Sequence, residues 1–139
     1  MVTVAVVGAH LTGMPLNHQL TERGGEQLES THTAACYRLY ALANTTPPKP
    51  GLIRDTGGNG AAIPIELWKL PASEFGSFVA LIPAPLGIGT LETADGRLVK
   101  GFICEGWAIA DATEITALGG WKAFLKLRDE QQRNADAGA

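Results

Sequence analysis

A run of β-branched and small residues, Val2 to Val7, opens the chain and stops at Gly8, two residues before His10. The run lacks polar alternation, which is typical of a strand that is buried on both faces of a sheet. We therefore predict a core strand over residues 1–7 and a loop over residues 8–14. A histidine in that loop lies at the edge of the core, where an imidazole serves either a structural role or proton transfer near neutral pH.

The composition narrows the class of protein. With 139 residues, 45% of them hydrophobic and 18% charged, the chain is expected to form one compact domain without disorder over most of its length. A net charge of −3 with few aromatic residues argues against a nucleic-acid partner. The apolar stretch Phe78–Leu86 is interrupted by Pro83 and Pro85 and is too short for a membrane span. Cys36 and Cys104 lie in apolar runs, which favours reduced thiols and a cytoplasmic address over a disulfide or a metal pair.

Periodicity and turn residues predict the elements. Strands are expected over 27–32, 35–42, 51–55, 61–70, 86–93 and 97–105, and short helices over 16–23, 71–81 and 121–127. We expect the strands at 27–32 and 35–42 to form a hairpin or one bent strand, and the proline-rich stretch 44–50 to be an exposed loop. The architecture is therefore α+β, with a curved antiparallel or mixed sheet that closes partly into a barrel. The domain is predicted over 1–128, followed by a disordered tail over 129–139.

Several groups near His10 are available to bind a small anion. The backbone N–H groups of Ala9, Leu11 and Thr12 follow a glycine and could bind a carboxylate or an oxyanion. Asn17 and Gln19 offer amide donors, or each of them caps the helix or faces solvent instead. Tyr37 either reaches the site or is a buried phenol bonded to the backbone. No spacing of His and Cys residues predicts a metal site, and we expect no cofactor.

Several stretches in one order resemble a known family. They are VAVVGAHLTGMPLNHQL, CYRLYAL, TTPPKPGLIR, IELWKLPASEFGSFVALIPAPLGIGTLETADGRLVKGFICE and a late GGW. Together they cover nearly the whole chain and resemble the C-terminal domain of allophanate hydrolase. That domain in turn resembles the γ-glutamyl cyclotransferases, which implies a small mixed β-barrel with short flanking helices.

The resemblance implies a substrate-binding loop formed by Gly8, Ala9, His10 and Leu11, because cyclotransferases grip a carboxylate with the backbone at this place. Those enzymes also use a glutamate base after their central helix, and the corresponding stretch Phe78–Leu86 contains no carboxylate. We therefore expect no cyclotransferase activity. Pro85 and Leu86 are expected to wall the pocket.

The family implies a different reaction. In allophanate hydrolase an amidase domain converts allophanate to N-carboxycarbamate, and the C-terminal domain resolves that product to carbon dioxide and ammonia in urea catabolism. His10 corresponds to the histidine that acts there as a general acid or base. The chain is expected to be an excised domain or a free-standing relative that takes a small carbamate or dicarboxylate. Two alternatives are a non-catalytic assembly module for a partner amidase and a cyclotransferase-like enzyme on another small acidic substrate, in which His10 replaces the missing glutamate. The sequence is also compatible with a homodimer.

Overall fold

A computed structural model describes residues 1–137 and contains eight strands and three α-helices. The strands are β1 (Val2–Val6), β2 (Glu26–His32), β3 (Tyr37–Ala41), β4 (Pro50–Arg54), β5 (Pro64–Leu70), β6 (Leu86–Glu92), β7 (Leu98–Cys104) and β8 (Thr113–Glu114). The helices are α1 (His18–Thr21), α2 (Ala72–Ala80) and α3 (Trp121–Ala137). Short 3₁₀ turns occupy Gly106–Asp111 and Thr116–Leu118.

β1 is the central strand of the larger sheet, as its unalternating sequence predicts. The five strands lie in the order β2-β5-β1-β7-β6, with β1 antiparallel to β5 and parallel to β7. Val4, Ala5 and Val6 have no exposed surface, because both faces of this strand are covered. The end of β1 therefore delivers the following loop directly to the core.

The second sheet has three strands in the order β4-β3-β8. The prediction that β2 and β3 pair or form one bent strand is wrong, since β2 pairs with β5 and β3 pairs with β4. Between them, the N–H of Thr33 donates to the carbonyl of Ile63 and that of Ala34 to the carbonyl of Glu92. These hydrogen bonds fix the segment that connects the first sheet to the second. Alternation along a strand predicts its faces and gives no information about its partner.

The α+β class is confirmed, and the larger sheet is not closed into a barrel. Its edge strands β2 and β6 approach each other only near their ends, through a bridge between Thr33 and Thr93. An ion pair of 2.6 Å between Arg97 and Glu29 joins the same region.

α3 begins at a buried tryptophan, Trp121, directly after two glycines with φ angles of 87° and 107°. A Cβ atom on Gly120 would lie 2.9 Å from Cγ of Pro64, so both the conformation and the space favour glycine there. The helix continues to Ala137, where the sequence predicted a disordered tail from residue 129 onward. Most of this extension is exposed and consists of residues with good helix propensity. The helix therefore continues beyond the last residue of the apolar pattern on which the prediction relied. Residues 138–139 of the predicted tail lie outside the described residues.

Within the described residues, no helix is long and apolar enough to cross a membrane. Cys36 and Cys104 are both free thiols, with Cys36 half-buried in the turn before β3 and Cys104 buried at the end of β7.

Candidate functional site

The loop after β1 holds His10 through bonds to its own backbone. The N–H of Leu11 donates to the carbonyl of Gly8 over 3.0 Å, which tightens the turn around His10. The Asn17 side-chain amide donates to the carbonyl of His10 over 2.8 Å. Asn17, predicted as a substrate ligand, therefore uses its amide donor to fix the histidine's backbone.

The His10 ring is enclosed by two phenylalanines. His10 is buried, with only 7% of its surface exposed. The Phe102 ring from β7 stacks on it with centroids 4.8 Å apart, and the Phe78 ring from α2 meets it edge-on at 5.3 Å. Both contacts restrict rotation of the imidazole, so its two nitrogens keep fixed environments.

The hydrogen bond to Gln19 selects the tautomer of His10. Nε2 lies 2.7 Å from Oε1 of Gln19, and an amide oxygen can only accept. In its neutral form the ring therefore carries the proton on Nε2 and a lone pair on Nδ1. Nδ1 has no hydrogen-bond partner within residues 1–137, and so its lone pair is available to a ligand.

Burial lowers the pKa of His10 below its ordinary value of 6.5, because desolvation disfavours the imidazolium. The Gln19 bond opposes this effect, whereas the charges of Lys49 and His18 add to it. The lowered pKa favours the neutral form of His10 at pH 7, in which Nδ1 carries a lone pair.

A cavity of about 250 Å³ opens beside His10. Its lining residues are His10, Leu16, Gln19, Thr46, Pro47, Lys49, Leu81, Ile82, Pro83, Leu86 and Phe102. This wall contains a lysine and a histidine and no carboxylate. The chemistry of the wall therefore suits a small anion. Over residues 1–137, no group of three or more His, Cys, Asp and Glu side chains could hold a metal ion.

Lys49 is the charged residue that the sequence did not predict for this site. It is 7% exposed, and within the described chain its ammonium makes no ion pair. Every fully buried side-chain nitrogen or oxygen in that part of the chain has a hydrogen-bond partner. Nζ of Lys49 and Nδ1 of His10, which have none, therefore both retain some accessible surface, and both residues line the cavity.

The stretch 44–50 was predicted to be an exposed loop, and for its last residues this prediction is wrong. Lys49 and Pro50 are buried because Gly8 has no side chain. A Cβ atom on Gly8 would lie 2.2 Å from Cδ of Pro50. A lone lysine between prolines was the one signal that could have directed attention to this loop.

The predicted binding residues divide into two groups. Gly8, Ala9 and Leu86 lie with His10, Lys49 and Phe102 around a small recess of about 20 Å³ that shares those walls with the main cavity. Within residues 1–137 the backbone N–H groups of Ala9 and His10 make no hydrogen bond. These N–H groups remain available as donors.

The other predicted residues lie elsewhere. Leu11 lines a separate cavity, and its N–H is engaged within the loop. Tyr37 is 1% exposed, and its hydroxyl oxygen accepts the N–H of Glu92 at 3.0 Å. Pro85 lines a cavity of about 220 Å³ that adjoins the first along Thr46 and Lys49. The structure thus does not bring Leu11, Asn17, Tyr37 or Pro85 into the wall around His10.

Fold and site together define a small α+β domain with a buried, neutral histidine and an unpaired lysine at an anion-sized cavity. The family model that matches this chain is that of the allophanate hydrolase C-terminal domain, over residues 2–126. The chain belongs to that family.

Known relatives agree with this membership. The urea amidolyase of Saccharomyces cerevisiae is 40% identical over 138 residues, which cover 95% of this chain and 8% of that protein. The structure of Kluyveromyces lactis allophanate hydrolase superposes with a TM-score of 0.87 and 43% identity, over 90% of this chain and 21% of that one. The chain therefore spans less than a quarter of the length of these relatives.

A third solved structure is of similar length to this chain. The uropathogenic E. coli-specific protein superposes with a TM-score of 0.83 and 34% identity, covering 90% of this chain and 95% of that one. The domain thus occurs in long polypeptides and in at least one short one.

Proposed function

We propose that this domain decarboxylates N-carboxycarbamate, with His10 as the general acid and base. The observation that carries the proposal is that Lys49 and His10 line the same cavity and that its wall contains no carboxylate. N-carboxycarbamate is a small dianion, and a buried cation without a partner is a favourable ligand for one of its carboxylates. A cyclotransferase mechanism is disfavoured, because the wall offers no carboxylate base.

Two groups of donors are suited to the two carboxylates. The Lys49 ammonium binds one of them from the cavity wall. The N–H groups of Ala9 and His10 bind the other at the recess that these residues share with Lys49. Backbone donors that are fixed before the substrate arrives cost little reorganisation during the reaction.

The protonation state of His10 determines where the proton for the reaction comes from. The free domain holds a neutral imidazole, and a bound dianion raises the pKa of that ring because opposite charges favour the protonated form. Nδ1 then takes up a proton from solvent, while Nε2 keeps its bond to Gln19.

The imidazolium donates the Nδ1 proton to the substrate nitrogen as the bond between that nitrogen and one carboxylate carbon breaks. The bonding electrons stay on nitrogen. Carbon dioxide and carbamate leave, and His10 is neutral again. Carbamate then takes up one proton and breaks down in water to ammonia and a second carbon dioxide.

We further propose that an amidase supplies the substrate, either on the same polypeptide or on a separate one. Two relatives named urea amidolyase and allophanate hydrolase are much longer than this chain. The reaction proposed here consumes a product of amide hydrolysis and needs such a source.

The test generates N-carboxycarbamate from allophanate with a purified amidase and follows carbon dioxide release with and without this chain. The wild-type chain should accelerate release above the spontaneous rate. His10→Gln should reduce that acceleration by about 10²- to 10⁴-fold, the usual contribution of general acid–base catalysis. His32→Gln, an exposed histidine at the end of the edge strand β2, is the matched control and should retain the wild-type rate. Equal acceleration by wild type and His10→Gln, or none by wild type, refutes the catalytic proposal.

Binding is tested separately with malonate, a stable dianion in which a methylene group replaces the nitrogen. Lys49→Met should weaken malonate binding by about tenfold or more, the loss expected for a charge-assisted hydrogen bond. Lys100→Met removes an exposed lysine from β7 and should change the affinity by less than about twofold, because solvent screens such a charge. If both variants bind malonate equally well, Lys49 is not the anion ligand.

A further inference from the structure

Glu66 is a buried carboxylate that the proposed reaction does not use. It lies on β5 and is 7% exposed, so its charge requires compensation. Its Oε1 accepts three hydrogen bonds: the Thr12 N–H at 2.9 Å, the Thr12 hydroxyl at 2.9 Å and the Trp68 indole N–H at 3.1 Å. Its Oε2 faces the Lys122 ammonium at 3.7 Å.

Glu66 is absent from the wall of the His10 cavity. It lines another cavity of about 130 Å³, together with Leu11 and Lys122. Consecutive residues of the loop therefore line different cavities: His10 lines the first one, and Leu11 lines the one beside Glu66. Any effect of Glu66 on the reaction must act through the loop between them.

We propose that Glu66 is a positioning residue that fixes His10 through Thr12. Two of its three bonds hold the residue that lies two positions after His10, by both the backbone N–H and the side-chain hydroxyl. Asn17 holds the carbonyl of His10 itself. The loop is thus fixed on both sides of the imidazole, and this inference rests on the proposed role of His10 as proton donor.

The two hydrogen bonds between Glu66 and Thr12 distinguish a positioning role from simple stabilisation. A carboxylate needed only for stability could be satisfied by Trp68 and Lys122, which belong to β5 and α3. Losing the bonds to Thr12 frees the loop, and a displacement of about 1 Å at a reacting group can cost about 10²-fold in rate. Removing Lys122 leaves those bonds intact.

The test compares Glu66→Ala with Lys122→Met in the coupled decarboxylation assay. Glu66→Ala should lower kcat by about 10- to 100-fold. Malonate affinity should change less, because Lys49 does not contact Glu66. Lys122→Met should keep kcat within about twofold, since Lys122 is exposed and Glu66 keeps its three hydrogen bonds without it. If Glu66→Ala does not fold, Thr12→Val carries the test. It removes the hydroxyl bonds to Glu66 and Gln27, leaves the backbone N–H bond to Glu66, and should still lower kcat.

A second readout needs no turnover. The imidazole nitrogen signals of His10 in ligand-free protein, assigned with His10→Gln, report the ring's hydrogen bonding and its pKa. Glu66→Ala should shift these signals and broaden them, whereas Lys122→Met should not. Unchanged His10 signals together with wild-type kcat in Glu66→Ala overturn the positioning role. Shifted signals in a domain whose wild type shows no decarboxylation would retain the positioning role and reject the proposed function instead.

Discussion

Gly8 determines how closely the Lys49 loop approaches the His10 loop, and replacing it tests this part of the structure. A Cβ atom on Gly8 would lie 2.2 Å from Cδ and 2.4 Å from Cγ of Pro50. Carbon atoms prefer a separation of about 3.5–4.0 Å, so the proline must move by more than about 1 Å. Pro50 is the first residue of β4 and directly follows Lys49, which must move with it.

Gly8→Ala should lower the free energy of unfolding by about 1–3 kcal/mol, the usual cost of overpacking a buried site. For a domain of this size that corresponds to a fall in Tm of about 4–12 °C. The matched control is Gly76→Ala in α2, where the new Cβ atom would meet nothing within 4 Å. There the same substitution should raise stability by about 0.5–1 kcal/mol, because alanine is the better helix former.

Urea unfolding followed by tryptophan fluorescence measures both variants, and malonate titration reports whether Lys49 has moved. We expect Gly8→Ala to lose stability and affinity together. If Gly8→Ala is as stable as Gly76→Ala, the close approach of Gly8 and Pro50 is refuted, and with it the reason given for the burial of Lys49.

The remaining predictions concern the proton of His10. Lys49→Met should raise the pKa of His10, because the nearby cation lowers it. Gln19→Leu should lower that pKa further, because it removes a hydrogen bond that supports the imidazolium. NMR titration of the ring measures both shifts, and two shifts of the same sign would contradict these roles of Lys49 and Gln19. The lowered pKa also makes stability depend on pH. Well above pH 6.5 the ring is neutral in both states. As the pH falls through 6.5, the unfolded chain takes up a proton that the folded state does not yet bind, so the free energy of unfolding falls, by at most about 1.4 kcal/mol per pH unit, until the pH passes the lower folded pKa. Urea unfolding at pH 7.5 and 5.5 should show this loss in wild type and a smaller loss in His10→Gln; identical losses would show that His10 does not cause it.

Local patterns predicted the parts of the fold that depend on neighbouring residues. β1, the loop after it and the hairpin of β6 and β7 follow from an unalternating apolar run and from an Asp95-Gly96 turn. The pairing of β2 with β5 depends on residues far apart in sequence, and the pattern within β2 contains no information about it. The same limit explains why the sequence predicted strands correctly but joined β2 to the wrong partner.

The candidate site was predictable only at its centre. His10 was identified because it follows a buried strand and a glycine, which are sequence neighbours. Lys49 was missed because lysines are seldom buried and its proline-rich surroundings favour an exposed loop. Its burial results from the contact of Gly8 with Pro50, which no local pattern predicts. Phe78 and Phe102 lie in the predicted helix over 71–81 and the predicted strand over 97–105, but their contacts with the imidazole depend on how α2 and β7 pack.

The separation of charge across the loop explains why an imidazole rather than a carboxylate should move the proton here. Glu66 is held against Thr12 and Lys122 on one side, and Lys49 lies with His10 on the other. A carboxylate in the His10 cavity would pair with Lys49, compete with an anionic ligand and raise the pKa of His10. Its absence leaves Lys49 free for the proposed anionic ligand and leaves the pKa of His10 lowered by burial. Of the groups in the cavity wall, only His10 can then take up and release a proton near neutral pH.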